Sequence, residues 1–395
     1  MTFGDNGRVN GELPRTADAV VVGGGVMGAS TAYHLARRGV KDIVLLEREP
    51  FLGQMSTGRC AGGIRHQFSS EINVRLSIES IRMMERFPDE LGQEVGLKFC
   101  GYLFLLTRDE DLPAFRDNVA LQHRLGIDTR WLEPEECAEL VPELDLDGVL
   151  AGTIYDRDGL ADPSGVVQGY ESGARRLGVT ILTGTPATGI RLEDGRIRAV
   201  ETAGGVIETP VVVNACGAWA PELGRMVGVD IPIQPIRRQV VVTAPIPDLR
   251  ADFPFVIYFA DSLYFHREGP GILTGQSNND ETPGFKLDVD PEWEARHVEA
   301  AVRRFPRLGE AGFLTSWAGL YEVTPDAHPI LGRVPQVEGY HVMAGFSGHG
   351  FMHGPAAGLL MAEEIVDGRA TTVDIDPFRF DRFASGDLHP EYNVI

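Results

Sequence analysis

Ala17–Val22 is a short, mostly apolar run that predicts a buried parallel strand near the start of the chain. It leads into Gly23-Gly24-Gly25-Val26-Met27-Gly28 and then a helical stretch to Arg38. Arg37 and Arg38 suit the negative end of that helix, and Gly39 suits the position just beyond it. Asp42–Leu46 predicts a second strand, ending on Glu47. Further on, Ile72, Ile78, Ile81 and Met84 recur at helical spacing and predict a helix over Ser69–Phe87, stopped by Pro88. Thr107-x-x-Glu110 has the form of a capping box ahead of a helix closing near Gly126. Asp162-Pro163 supplies a cap and a first-turn proline for a helix ending near Gly178, followed by a strand at Val179–Leu182. Ile190–Leu192, Arg196–Glu201 and Val206–Glu208 predict a meander turning at Asp194-Gly195 and Gly204-Gly205. Val211–Val213 is another buried strand. Over residues 230–320 prolines and aromatics increase, and strands alternate without crossover helices, which predicts a mostly antiparallel second domain. A helical pattern returns from Pro355 to Val366, with Gly368 as its stop.

Composition narrows the classes. Glycine accounts for 47 of 395 residues, well above the usual share of about 7%, and implies many tight turns or close backbone approaches to a ligand. The 57 acidic residues against 36 basic give a net charge of −21. Nucleic acid and anionic membrane surfaces are therefore excluded as main partners. No run reaches the ~18 apolar residues of a membrane span. Met1–Thr16 lacks the apolar stretch of a signal peptide and reads as a flexible arm. Four scattered cysteines, Cys60, Cys100, Cys137 and Cys216, read as reduced thiols of a cytoplasmic protein.

Gly23-x-Gly25-x-x-Gly28 lies between a strand and a helix, the context a dinucleotide fingerprint requires. Gly23 permits the turn, Gly25 leaves room for a pyrophosphate, and Gly28 lets the helix approach the strand. Val26 and Met27 begin the helix whose free N–H groups face the phosphates. Glu47 stands where a carboxylate accepts from ribose hydroxyls. This motif does not decide between NAD and FAD. Three further loops favour an extended cofactor: Ser56-Thr57-Gly58-Arg59-Cys60-Ala61-Gly62-Gly63-Ile64-Arg65, then Ala215-Cys216-Gly217, then Gly345-Phe346-Ser347-Gly348-His349-Gly350-Phe351-Met352. The glycines of the last can aim several N–H groups at one acceptor.

The ordered set GGGVMG…LLERE, STGRCAGGIR, VVVNACGAWA, TPDAHPILG and GFSGHGF resembles the D-amino-acid-oxidase superfamily of FAD enzymes. Within it, the sequence is similar to the branch of monomeric sarcosine oxidase, glycine oxidase and the β subunits of sarcosine oxidase and L-proline dehydrogenase. The resemblance implies an α/β plus antiparallel architecture. A discontinuous FAD-binding Rossmann-like domain of GR2 type, over 17–97, 160–228 and 328–395, is joined by a substrate domain over 98–159 and 229–327. It also implies hydride transfer from a secondary or N-alkylated amino acid to flavin N5, giving an imine. By the same resemblance Arg48 lies beside the adenine and Ala187 contacts it through its backbone. Arg65 grips the substrate carboxylate, and the 345–352 loop directs N–H groups to the flavin edge where charge gathers on reduction. Gly319 stands where monomeric sarcosine oxidase has its flavin-bonding cysteine, which implies non-covalent FAD. Met352 stands where that enzyme has a second, lysine, partner for the carboxylate. No lysine occurs in Gly271–Gln276, which favours an acceptor other than oxygen. The acceptor is a quinone, an electron-transfer protein or oxygen, and a second flavoprotein subunit or a homo-oligomer fits the branch.

Tyr258 and His266, in aromatic strands, are candidates to face the substrate or simply the sheet core. His349 is a backbone contributor or a proton carrier. Asp326 and His328 read as a structural turn, and no metal is expected. Two other functions share parts of this pattern. An electron-relay flavoprotein subunit needs no substrate arginine, and an NAD-dependent dehydrogenase leaves the 345–350 loop without a task.

Overall fold

The computed structural model describes residues 13–394. Two sheets organise the chain. The first has six strands in the order Ile330–Arg333, Tyr340–Ala344, Val212–Asn214, Ala19–Val22, Ile43–Leu46, Thr180–Leu182. Five run parallel, and Ile330–Arg333 is an antiparallel edge. Ala19–Val22 and Ile43–Leu46 are wholly buried, as unbroken apolar runs in a parallel sheet covered on both faces must be. The fingerprint helix Val26–Arg37 packs on the closing helix Gly350–Val366. Small residues allow that contact: a Cβ at Gly358 would sit 2.1 Å from Ser30 Oγ.

The second sheet has eight strands: Phe313–Val323, Gln234–Thr243, Gly271–Gln276, Leu263–Glu268, Phe255–Tyr258, Tyr102–Leu106, Ala151–Tyr155, Arg130–Leu132. It is antiparallel except between Phe255–Tyr258 and Tyr102–Leu106. One face packs on an apolar cluster that includes Val256, Phe265 and Phe305. The other looks towards the carboxyl ends of the parallel strands, where open α/β sheets place their ligands. Small satellite sheets complete the molecule.

Several sequence expectations are corrected. Residues 1–12 of the expected arm lie outside the described residues, but 13–16 are anchored: Glu208 N donates to Arg15 O at 2.9 Å. The helix predicted to Phe87 ends at Glu85, and Pro88 opens a new short helix, Phe87–Leu91, because proline suits a first turn. Thr107 caps nothing; the helix Leu112–Arg124 begins after a 3₁₀ turn, with Pro113 in its first turn. The region 230–320 does hold a helix, Pro291–Arg304, capped by Asp290, whose side chain accepts from Glu292 N and Trp293 N. The helix expected from Pro355 starts at Gly350, five residues before that proline. It continues through the proline, beside which Ser30 Oγ donates to Pro355 O and Ser80 Oγ accepts from Ala356 N.

Candidate active site

One long pocket runs from the fingerprint to the inner face of the eight-stranded sheet. At its first end Gly23 has φ +107°, and a Cβ there would lie 2.4 Å from Ala215 O. A Cβ on Gly28 would lie 1.8 Å from Gly23 O, so the helix could not start where it does. Gly25 has only Thr57 Oγ1 near its missing Cβ, at 3.2 Å, which leaves its surface open to the pocket. The first helical turn carries no acidic side chain, so its positive end is left for an anion. Glu47 accepts from Gly24 N at 2.6 Å and from Glu49 N at 2.8 Å. Desolvation raises this carboxyl from its ordinary value. Arg48 stacks over Trp219 at 3.9 Å, and Ala187 lines the same end beside Thr185 and Pro186. These residues fit an extended dinucleotide, with room for phosphates exactly where side chains are excluded.

The middle of the pocket is a loop stitched to a strand. Ser56 Oγ donates to Leu320 O at 2.9 Å, and Arg59 Nη1 to Ala318 O at 2.7 Å. Trp317 Nε1 donates back to Arg59 O at 2.9 Å. Thr57, Cys60, Ala61, Gly62 and Gly63 line the cavity there, as do Ala215, Cys216, Gly217 and Gly319. Burial pushes both the Cys60 and Cys216 thiols up to about 12, so each is protonated and a poor nucleophile at neutral pH.

The roof comes from alternate residues of the eight-stranded sheet. Phe255 and Ile257 line the pocket, whereas Val256 and Tyr258 fall on the opposite face. The Tyr258 expectation is thereby corrected: its hydroxyl donates to Asp145 O at 2.6 Å, outside the cavity. His266 shares the inner face but does not line the pocket, because its ring is stacked behind Phe255 at 5.0 Å. Burial lowers it to about 4. Tyr102, Tyr264, Tyr321, Arg238 and Glu322 also line the pocket and went unnoticed in the sequence. For Tyr102, Tyr264 and Arg238 the signal was alternation within a strand, readable only with the strand register, whereas Tyr321 and Glu322 are adjacent and both reach the cavity. Gly275 and Gly348 make room for two of the rings: a Cβ would come 2.2 Å from Tyr264 and 2.3 Å from Tyr321.

Arg65 lines the inner end of the pocket. Nη1 donates to Gln67 O and Nη2 to Asn393 O, and its plane lies 3.8 Å from the Phe68 ring centre. Below it, Asp158 accepts from His66 N and Gln67 Nε2, and fixes the backbone that carries the arginine. Burial lowers the guanidinium's proton affinity, but an arginine stays charged. Val394, next to Asn393, forms part of the wall.

The final loop brings Gly348, His349, Gly350, Phe351 and Met352 to the pocket. His349 is pinned between His353 Nδ1 and Ala327 O, and burial lowers it to about 3, which makes it a neutral tether. Three expected cofactor residues do not line the cavity. Gly28 underlies the turn, Ile64 is fully buried, and Gly345 donates its N–H to Glu322 Oε2 at 3.0 Å. Glu322 is enclosed, and burial raises it to about 7. Asp326 pairs with buried Arg382 in the turn expected there.

The family described as FAD dependent oxidoreductase (DAO) matches residues 18–364. Dimethylglycine dehydrogenase of Rattus norvegicus is 31% identical, over 93% of this chain and 45% of its own length. Sarcosine dehydrogenase of Homo sapiens is 32% identical, over 90% of this chain and 40% of its own. The chain thus spans less than half the length of these curated relatives. The crystal structure of L-proline dehydrogenase from P. horikoshii is 36% identical with a TM-score of 0.89, covering 95% of this chain and all of that one.

Proposed function

Since the chain belongs to the family of FAD-dependent oxidoreductases, we propose that it oxidises the C–N bond of a small secondary or N-alkylated amino acid to an imine. The observation that carries this is the continuity of the pocket. A phosphate cradle at one end and a buried arginine among tyrosines at the other line a single cavity. The names of the three relatives support the substrate class, since dimethylglycine, sarcosine and proline all bear carbon substituents on an amino-acid nitrogen.

Bound FAD supplies the two-electron acceptor for the hydride leaving the carbon beside nitrogen. The chain's own residues position the substrate. The Arg65 fork receives the carboxylate, and Phe255, Tyr102 and Tyr264 enclose the apolar body. Burial raises the phenols of Tyr102, Tyr264 and Tyr321, so they are hydrogen-bond donors and not bases. None of these three phenols therefore takes the proton that the amine must shed before reaction. FAD is held without a covalent bond, because glycine occupies position 319 and the lining thiols are protonated. The inner-facing side of Gly271–Gln276 carries no lysine, which favours a dye, quinone or electron-transfer protein over oxygen. A cytoplasmic location rests on the four free thiols.

The test is an anaerobic screen of amino acids that follows bleaching of the bound flavin. Proline or sarcosine should bleach it, and oxygen should restore the colour more slowly than a dye. Arg65→Met, with FAD content matched, should lower kcat/KM by roughly 10²–10⁴-fold through the loss of two charged hydrogen bonds. Bleaching by NADH but by no amino acid would defeat the reading, as would an Arg65→Met variant within threefold of wild type.

A further inference from the structure

The strand Gln234–Thr243 carries two consecutive arginines with opposite fates. Arg237 points away from the pocket into a ring of carboxylates, with Glu281 at 2.8 Å, Asp290 at 3.2 Å and Asp288 at 3.4 Å. Arg238 points in and lines the cavity, paired in register with Gly319. Among the described residues no carboxylate pairs with it. Its Nη1 donates to the carbonyl of Arg237 at 3.1 Å, and its buried Nε–H has no partner. The Tyr321 ring lies 5.2 Å from it. A largely desolvated guanidinium in a cavity wall with no carboxylate beside it is a costly arrangement unless an anion in the cavity completes it.

Arg238 and Arg65 sit against different rings of the cavity wall. Arg65 lies 3.8 Å from the Phe68 ring centre and 5.6 Å from that of Phe104, whereas Arg238 lies 5.2 Å from that of Tyr321.

We propose that Arg238 is a second anion position in the substrate pocket, and that the preferred substrate is an amino acid carrying a further carboxylate. This rests on the amino-acid reading above: Arg65 holds the carboxylate beside the reacting carbon, and Arg238 holds the other. Monocarboxylic substrates occupy the same pocket and leave Arg238 uncompensated.

Binding of non-oxidisable acids to the holoenzyme, read as the shift in bound-flavin absorbance, tests this without turnover. Acetate serves as the single carboxylate, and malonate, succinate and glutarate span two at increasing length. At least one diacid should bind roughly 10- to 100-fold more tightly than acetate, the range for one charged hydrogen-bonded contact. Arg238→Met should abolish that advantage, costing the diacid much more affinity than acetate at unchanged FAD content, while Arg238→Lys should restore part of it. Arg65→Met should weaken acetate and diacids alike. The proposal fails if no diacid outbinds acetate, if Arg238→Met keeps the advantage, or if Arg238→Met loses FAD, which would make Arg238 a cofactor residue. If amino acids fail to bleach the flavin while a diacid still binds through Arg238, the oxidation reading falls and the anion position stands.

Discussion

Glu322 shows how burial alone sets the behaviour of one side chain. Its carboxyl accepts from Gly345 N–H, forms no ion pair among the described residues, and is pushed up by burial from 4.5 to about 7. Between those values the folded protein keeps a proton that the unfolded chain has released. Its contribution to stability is therefore present below pH 4.5 and lost as pH rises through 7, roughly 3 kcal/mol in all. Glu322→Gln keeps an acceptor for Gly345 and removes the titration. Its melting temperature relative to wild type should rise between pH 5 and pH 8. A difference that stays constant across this range would show that Glu322 is not held neutral. Arg65 illustrates the converse. Its sequence context marked it for a ligand, yet two of its five N–H groups go to backbone carbonyls, so it also holds the chain near Asn393 in place.

Among the elements, the fingerprint is the least tolerant of change. The N-terminal turn of Val26–Arg37 rests on Gly23 O so closely that Gly28→Ala forces the helix off the strand. Overpacking of this kind costs roughly 1–3 kcal/mol, and here it also displaces the N–H groups that face the phosphates. The variant should fold with a lowered melting temperature and lose its yellow colour on gel filtration. Full FAD retention would contradict this account of the turn. This unit was legible in the sequence because turn, helix start and close packing each demand glycine at a fixed spacing. The capping of Pro163–Arg176 by Asp162, with Ser164 N donating at 2.9 Å, was legible for the same local reason. Pro291–Arg304 was missed although Asp290-Pro291 repeats that signal, because the surrounding aromatics and prolines suggested strands. The roof tyrosines and Arg238 were not legible at all. Which face of a strand meets a ligand depends on its neighbours' register, and those neighbours are distant in sequence.

For the whole molecule, the buried imidazoles dominate the response to acid. Burial lowers His34 to about 3, and His266, His297 and His341 to about 4, from an ordinary 6.5. Below pH 6.5 the unfolded chain takes up protons that the folded one refuses. The stability these groups give is complete above 6.5 and lost as pH falls towards 4. Unfolding near pH 5 should take up roughly four protons from these groups, and the melting temperature should fall steeply from pH 6.5 to 4. A melting temperature that is flat over this interval would mean that these histidines are already charged in the folded protein.

The two arginines of Gln234–Thr243 also bear on how such a molecule can change over generations. Position 237 carries the ion cluster that ties the strand to the segment around Asp290, whereas position 238 lines the cavity and has no ion pair among the described residues. On the proposal above, a mutation at 238 alters which molecules are admitted and leaves the strand's ion cluster in place. A mutation at 237 unseats the scaffold and gains nothing in selectivity. Neighbouring codons therefore separate the freedom to acquire new substrates from the constraint of remaining folded.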